Sequence, residues 1–297
     1  MIVGILGGGA WGRALATLTA EAGHEPRIGY RKRPPGGFPG SPNLPAIVSE
    51  AELVLVAVPA SGVREVIERS RPGAGSRVVL ASRGIEPDTG KWLSSIVLEQ
   101  TPCRQVGAIA GPAMAAEVLR HRPSALVVAS PFESLRRLAQ DALHSSLCRV
   151  YTSPDLLGVE LSGAVVGVLA MVVGITQSLD IGVSIRGAVV TRGIAELTRL
   201  GEALGARVQT FAGLAGIGDL ISCASHPDHP WYHTGLELGA QRGCDPRFVQ
   251  ETQAVVALGR RQGIDLPLAQ AALSIATGEL DPRLAIDLLM RRDPRGE

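Results

Sequence analysis

The chain has 297 residues, 45% of them hydrophobic and only 3% aromatic, with a formal charge of +1 at pH 7. A chain of that length can bury a large, chiefly aliphatic core and suggests two domains. The balanced charge, with no basic stripe, argues against nucleic acid or a membrane surface as partner. The expected partners are a small-molecule substrate and, as an open option, a second copy in a homodimer. Cys103, Cys148, Cys223 and Cys244 are widely spaced without a C-x-x-C pair, and the sequence opens directly on an apolar run. Both features predict a cytoplasmic protein with reduced thiols.

In chain order, residues 2 to 6 form an apolar strand that runs into Gly7-Gly8-Gly9-Ala10-Trp11-Gly12 and then an Ala/Leu-rich helix. Gly7, Gly9 and Gly12 fit G-x-G-x-x-G, the dinucleotide-binding turn. In it the first glycine permits the turn, the second lets backbone approach a pyrophosphate, and the third lets helix pack on strand. The backbone of Ala10 and Trp11 opens the helix whose free N–H groups face the phosphates. A second strand at 26 to 30 ends in Tyr30-Arg31-Lys32-Arg33. An acid at that position would read as NAD; cations such as Arg31 and Arg33 favour NADP over NAD. Residues 33 to 45 are dense in Pro and Gly and predict a loop without a regular element.

Further short apolar runs at 53 to 58, 77 to 81, 106 to 110 and 125 to 129 alternate with helical patterns, which predicts a parallel, doubly wound sheet. Ligands sit at the carboxyl ends of such strands, so Pro59, Ser82-Arg83-Gly84 and Gly111-Pro112 should line a cleft. From about residue 153 the strand signals fade. Periodic apolar stretches at 156–179, 187–204, 212–225, 246–262, 267–277 and 282–291 predict an all-helical second domain. The expected division is 1–152 and 153–297. The uncharged run 161 to 179 nearly reaches bilayer length, but its glycines and acidic flanks mark a buried helix.

Six ordered blocks carry a resemblance: GGGAWGRALA at 7 to 16, ASRGIEPDTG at 81 to 90, IAGPAMAAEV at 109 to 118, YTSPDLLGVELSGAV at 151 to 165, VTRGIAELTRLGEALGA at 190 to 206 and FAGLAGIGDLISC at 211 to 223. Collinear over nearly the whole chain, they resemble the soluble bacterial NAD(P)-dependent glycerol-3-phosphate dehydrogenase family. That resemblance implies an α/β fold, with an N-terminal Rossmann-type parallel sheet domain followed by an all-helical C-terminal domain. It also implies NADP or NAD as cofactor and a substrate cleft between the domains. Glu251 resembles a cofactor-proximal acid of the family, and Asp219, in Gly216-Ile217-Gly218-Asp219-Leu220, matches a catalytic aspartate.

The departures from the family pattern are equally local. Where the resemblance implies the catalytic lysine and asparagine of G-A-x-K-N, this chain has Val166 and Gly167; its only lysines are Lys32 and Lys91. A second lysine is Arg83, which keeps the charge but is a poor proton donor. The Arg-Asn pair that grips the substrate phosphate aligns with Pro230-Trp231, so the planar donor fork is absent. Asp219 is left as a structural cap or a residual polar anchor. Nearby, Cys223, His226, His229 and His233 are enriched in a segment whose prolines argue against a regular helix. No metal is expected; these four are the only candidates for holding one, and are otherwise surface loop residues or sources of a replacement acid. General acid assistance is worth about 10²–10⁴ in rate, so its loss bears directly on activity. Two functions follow: an oxidoreductase with a degenerate site and an altered substrate, or a catalytically inactive cofactor-binding or partner-binding homologue.

Overall fold

The computed structural model describes residues 1–32, 34 and 36–291; Arg33 lies outside the described residues. The first half builds one eight-stranded sheet: β1 (Ile2–Leu6), β2 (Glu25–Gly29), β3 (Gly40–Ser41), β4 (Leu53–Val56), β5 (Arg77–Leu80), β6 (Gln105–Ala110), β7 (Ser124–Ala129) and β8 (Cys148–Ser153), in spatial order β3-β2-β1-β4-β5-β6-β7-β8. Helices α1 (Ala10–Glu21), α2 (Leu44–Glu50), α3 (Val63–Ser70), α4 (Leu93–Gln100), α5 (Ala115–Val118) and α6 (Glu133–Leu143) cover it. Two apolar clusters result, one on each face. The first joins Leu15 and Leu18 to Leu135 and Leu143, and the second joins Ile47 and Ile67 to Ile96. Such burial on both faces is why the strands read as continuous apolar runs.

Three expectations need correction here. The sheet is not wholly parallel, since β7 runs antiparallel to β6. The link between them contains only the four-residue α5, and a parallel neighbour needs a full crossover element. The edge strand β8 extends past the predicted strands; it alternates buried Cys148 and Val150 with exposed Arg149 and Tyr151, so it lacks a continuous apolar run. The Pro/Gly-rich stretch holds the two-residue β3, and α2 starts at Leu44 behind Asn43, whose side chain accepts from Ala46 N at 3.3 Å.

The second half is helical: α7 (Leu156–Ser178), α8 (Val183–Leu204), α9 (Val208–Ala212), a π-helical turn at Leu214–Gly218, α10 (Asp219–Ser225), α11 (Pro230–Gly239), α12 (Pro246–Arg261), α13 (Pro267–Ala276) and α14 (Pro282–Met290). α7 is 23 residues with a mean hydropathy of 2.2, long and apolar enough to cross a membrane, yet 89% of its apolar window is buried inside the protein. It is the axis of the domain core, ringed by Leu197, Leu200, Phe211 and Val255.

α11 is the fourth correction. Pro230 does not prevent a helix; it occupies the first turn, where its missing N–H would be unpaired in any residue. α11 crosses α7 at backbone contact. A Cβ on Gly174 would come 2.3 Å from Tyr232 O, and one on Gly235 would come 2.1 Å from Met171 O. The two halves are pinned by Glu160 of α7, which accepts from Ser94 N at 2.9 Å and Ser94 Oγ at 2.6 Å at the start of α4. Asp155 caps α7 through Gly158 N at 3.0 Å and also accepts from Arg207 N at 2.9 Å.

Candidate functional site: a dinucleotide cradle and a remodelled cleft

The opening glycines separate into two kinds by what surrounds them. Gly7 has φ +134°, and a Cβ there would lie 2.3 Å from Ala57 O; a Cβ on Gly12 would lie 1.8 Å from Gly7 O. Both are required for β1, β4 and α1 to close on one another. Gly9, by contrast, has nothing within 4 Å of its Cβ direction. It caps α1 without a side chain, so the N–H groups of the first turn face open space beside the backbone of Ala10 and Trp11. Such an open helix N-terminus has the form that would suit a diphosphate.

Around the cradle, Trp11 Nε1 donates to Ala81 O at 3.0 Å, which fixes the turn to the end of β5. Pro59 opens the short 3₁₀ turn Ala60–Gly62 at the end of β4. Arg31 stands beyond β2 with 66% of its side chain exposed, and among the described residues it is held by a 3.9 Å ion pair to Glu65. The residues therefore fit a dinucleotide, whose nicotinamide would supply or accept hydride, with Arg31 free to meet an adenosine-side phosphate.

The remainder of the cleft is built where the loop after β5 meets the helical domain. Arg83 Nη1 lies 2.9 Å from Asp219 Oδ2 and donates to Oδ1 at 3.1 Å; its Nη2 donates to Gly111 O at 3.1 Å. Cys223 Sγ completes the cluster, 3.7 Å from Arg83 Nη1 and 3.5 Å from Asp219 Oδ1. Asp219 is 1% exposed and the Arg83 side chain 29%, so the pair is an interdomain anchor with one accessible edge, not a helix cap. Burial opposes the Arg83 charge most strongly of any single influence, but Asp219 and Cys223 together outweigh it and hold the guanidinium above its usual value. Burial likewise raises the Asp219 carboxyl above the carboxylate range, against the pull of Arg83. Burial and Asp219 push the Cys223 thiol up to about 12.

The histidine segment does not converge. His226 Nδ1 accepts from Asp228 N at 3.2 Å, and His233 is exposed on α11. His229 is buried, its Nδ1 unpartnered, and burial together with the nearby Arg83 charge lowers its pKa to about 4. Among the described residues, no three His, Cys, Asp or Glu groups are placed to hold a metal ion.

Val166, at the position where the resemblance puts a lysine, is 0% exposed in the domain core. One residue on, a Cβ on Gly167 would lie 2.6 Å from the Trp231 indole. That indole packs edge-on against Phe248 at 4.7 Å between centroids. Two departures that are far apart in sequence are thus one packing event, an aromatic side chain lodged against a glycine. The matched loss of a side chain at 167 and gain of one at 231 was the signal that could have revealed it. Glu251 of α12 brings Oε2 to 3.9 Å from the Cβ direction of Gly84, which places its carboxyl at the carboxyl edge of the sheet.

A glycine-built turn on a mostly parallel sheet, tied to a helical domain through Arg83 and Asp219, is the fold of a two-domain NAD(P)-dependent oxidoreductase. Family models described as the N-terminus and C-terminus of NAD-dependent glycerol-3-phosphate dehydrogenase match residues 37–135 and 155–287. The chain belongs to the NAD(P)-dependent glycerol-3-phosphate dehydrogenase family, and its cofactor is NAD or NADP. A glycerol-3-phosphate dehydrogenase of Methylibium petroleiphilum is 38% identical, with 100% of this chain and 98% of the relative aligned. One from Trichormus variabilis is 35% identical over 99% and 97% of the two chains. The crystal structure of the Coxiella burnetii glycerol-3-phosphate dehydrogenase superposes with a TM-score of 0.90 at 28% identity, covering 98% of this chain and 99% of that one. A ketopantoate reductase of Ralstonia eutropha, at 17% identity and a TM-score of 0.59, shares the fold alone.

Proposed function

We propose that this protein is a cytoplasmic oxidoreductase that moves hydride between NADP(H), in preference to NAD(H), and a CH–OH or carbonyl carbon of a small substrate without a phosphate group. The relatives are named for glycerol 3-phosphate, and an anionic phosphate needs a donor fork. The observation that carries the departure is the Trp231 indole against Gly167, an apolar surface where the resemblance implies the phosphate grip. Loss of such a remote anchor removes binding energy that orients the substrate, so the family substrate should turn over poorly here.

In this reading Gly7, Gly9, Gly12 and the start of α1 hold the diphosphate. Arg31 meets the ribose phosphate, and Pro59 and Glu251 line the nicotinamide end. Arg83 turns its accessible edge to the substrate oxygen, while Asp219 positions the guanidinium from behind. Valine at 166 supplies no proton.

The test is a fluorescence titration with NADPH and NADH, followed by turnover assays on dihydroxyacetone phosphate and on unphosphorylated ketones and hydroxy acids. Tighter NADPH binding and turnover on an unphosphorylated compound are expected, with Arg31→Ala weakening NADPH about tenfold and leaving NADH unchanged. Failure to bind either nucleotide sinks the reading and favours an inert homologue. Efficient turnover of dihydroxyacetone phosphate removes the altered-substrate part of it.

A further inference from the structure

The cleft has lost its ammonium group, and the polar side chains around Arg83 do not replace it as a proton source. The Arg83 guanidinium remains charged and is tied to Asp219 and Gly111 O. The Cys223 thiol is pushed up to about 12 and the His229 imidazole down to about 4, so neither exchanges a proton readily near neutrality.

Glu251 is placed differently. It extends from α12 across to the loop after β5, its Oε2 3.9 Å from the Cβ direction of Gly84, which itself points at Ala60 Cβ, 3.2 Å away. Ala60 follows Pro59 at the end of β4, so the carboxyl lies over the carboxyl ends of β4 and β5, in the crevice where such sheets seat the reactive end of a dinucleotide. α12 is held along this loop at a second point, where Arg261 Nη2 donates to Gly90 O at 3.5 Å. The Glu251 side chain is half-buried and has neither a hydrogen bond nor an ion pair with any described residue. A half-buried carboxyl without a partner is costly as an anion unless something else uses it.

We propose that Glu251 is the proton donor and acceptor of this enzyme, taking over the part that a lysine would play from α7. In the reducing direction, a bound reduced nicotinamide would supply hydride to the carbonyl carbon and be left oxidised, the carbonyl π electrons becoming a lone pair on oxygen. Glu251 gives its carboxyl proton to that oxygen and is left as carboxylate, to be reprotonated by solvent. In the oxidising direction the carboxylate accepts the hydroxyl proton as hydride leaves carbon.

The surroundings suit this role. Burial raises the Glu251 carboxyl to about 7, against the pull of Arg247 and with the help of Asp245 on its own element. Across the cleft stand Arg83 and Asp219, already matched to each other. Glu86, on the same loop as Gly84, is held by Arg64 at 2.6 Å. Of the helices packed on α12, α13 brings no ionisable side chain and α7 only Glu160, which is engaged with Ser94. α11, which meets α12 through Trp231 on Phe248, carries buried Tyr232, exposed His233, and Glu237, which is paired with Arg242. A group with that value is half-protonated at neutral pH, so it can serve either direction.

The inference rests on the oxidoreductase reading, and its test separates the two. In the nucleotide-free protein, carboxyl-labelled glutamate followed by ¹³C NMR should show one resonance, absent in Glu251→Gln, that titrates near neutrality and moves when NADPH is added. On the best unphosphorylated carbonyl of the panel, and at saturating NADPH, Glu251→Gln should lower the maximal rate about 10²–10⁴-fold and abolish the pH inflection, with partial recovery in Glu251→Asp. Reduction by the wild type should slow as pH rises through the inflection, and oxidation should quicken. Turnover retained in Glu251→Gln with the same pH profile overturns the Glu251 assignment and leaves the oxidoreductase intact. A Glu251 resonance titrating in the ordinary carboxylate range, or indifferent to NADPH, overturns it even without a substrate. Absence of nucleotide binding overturns both.

Discussion

Two places in this molecule depend on a glycine's missing side chain, and they use it in opposite ways. At Gly9 the missing side chain leaves open space at the mouth of α1; at Gly167 the missing side chain is occupied by the Trp231 indole. The first arrangement leaves a helix N-terminus open, and the second fills the space with the protein's own carbon. The contrast teaches that the nucleotide turn and the substrate wall are separable. One is fixed by backbone that must approach closely whatever the substrate, while the other is lined by side chains that can be exchanged within a constant frame.

The largest effect expected falls on the wall. Arg83→Met leaves the buried Asp219 without its partner and should cost about 3–5 kcal/mol in denaturant unfolding. NADPH affinity of the fraction still folded should stay close to that of the parent, and a collapse of nucleotide binding there would break the separation. Next comes the turn itself. Gly12→Ala drives a methyl into Gly7 O and should cost about 1–3 kcal/mol together with nucleotide binding. Gly9→Ala should leave Tm unchanged while still weakening NADPH. Equal thermal losses in the two variants would show that Gly9 is not facing open space.

A smaller effect, coupled by design, is expected at the seam. Gly167→Ala alone should displace the indole and Trp231→Ala alone should leave a void, while the pair combined should recover about 0.5–3 kcal/mol relative to the sum of the singles. Simple additivity would mean that the two residues do not share one packing event.

The smallest effect joins the two halves. Burial raises the Glu160 carboxyl to about 7 from an ordinary 4.5, against the bonds from Ser94. Between those values the native protein keeps a proton that the unfolded chain has released. The associated stability is therefore complete below about pH 4.5 and is lost as pH rises through about 7. Thermal midpoints measured from pH 5 to pH 8 should fall less steeply in Glu160→Gln than in the parent. Parallel slopes would show that this contact does not titrate in that window.

What the sequence discloses follows the range of the interaction. The β1–α1 turn is read from twelve consecutive residues because strand, glycines and helix face are all local. The buried central strands are legible for the same reason, as unbroken apolar runs. β8 escaped because an edge strand alternates and its apolar count is halved, and the reversal at β7 escaped because direction is set by the connection, not by the strand's composition. α11 was hidden by Pro230, which reads as a breaker unless its position in the first turn is known. At the site, Arg83 and Asp219 could be nominated separately, but their ion pair spans 136 positions of sequence and no local pattern announces it. The same holds for Gly167 with Trp231. Glu251 is assigned to the cofactor from its neighbours in the chain; that its carboxyl makes no hydrogen bond or ion pair among the described residues is visible only once α12 is laid along the loop after β5.

The seam between α7 and α11 also constrains how this chain can change. Because Gly174 and Gly235 bring the two backbones into contact, neither helix can slide to make room at Gly167. A bulkier residue at 167 would meet the indole, and a smaller side chain at 231 would leave a hollow. The two positions are therefore set as a pair, and the wall between α7 and α11 can be refitted by one concerted exchange more readily than by either residue alone.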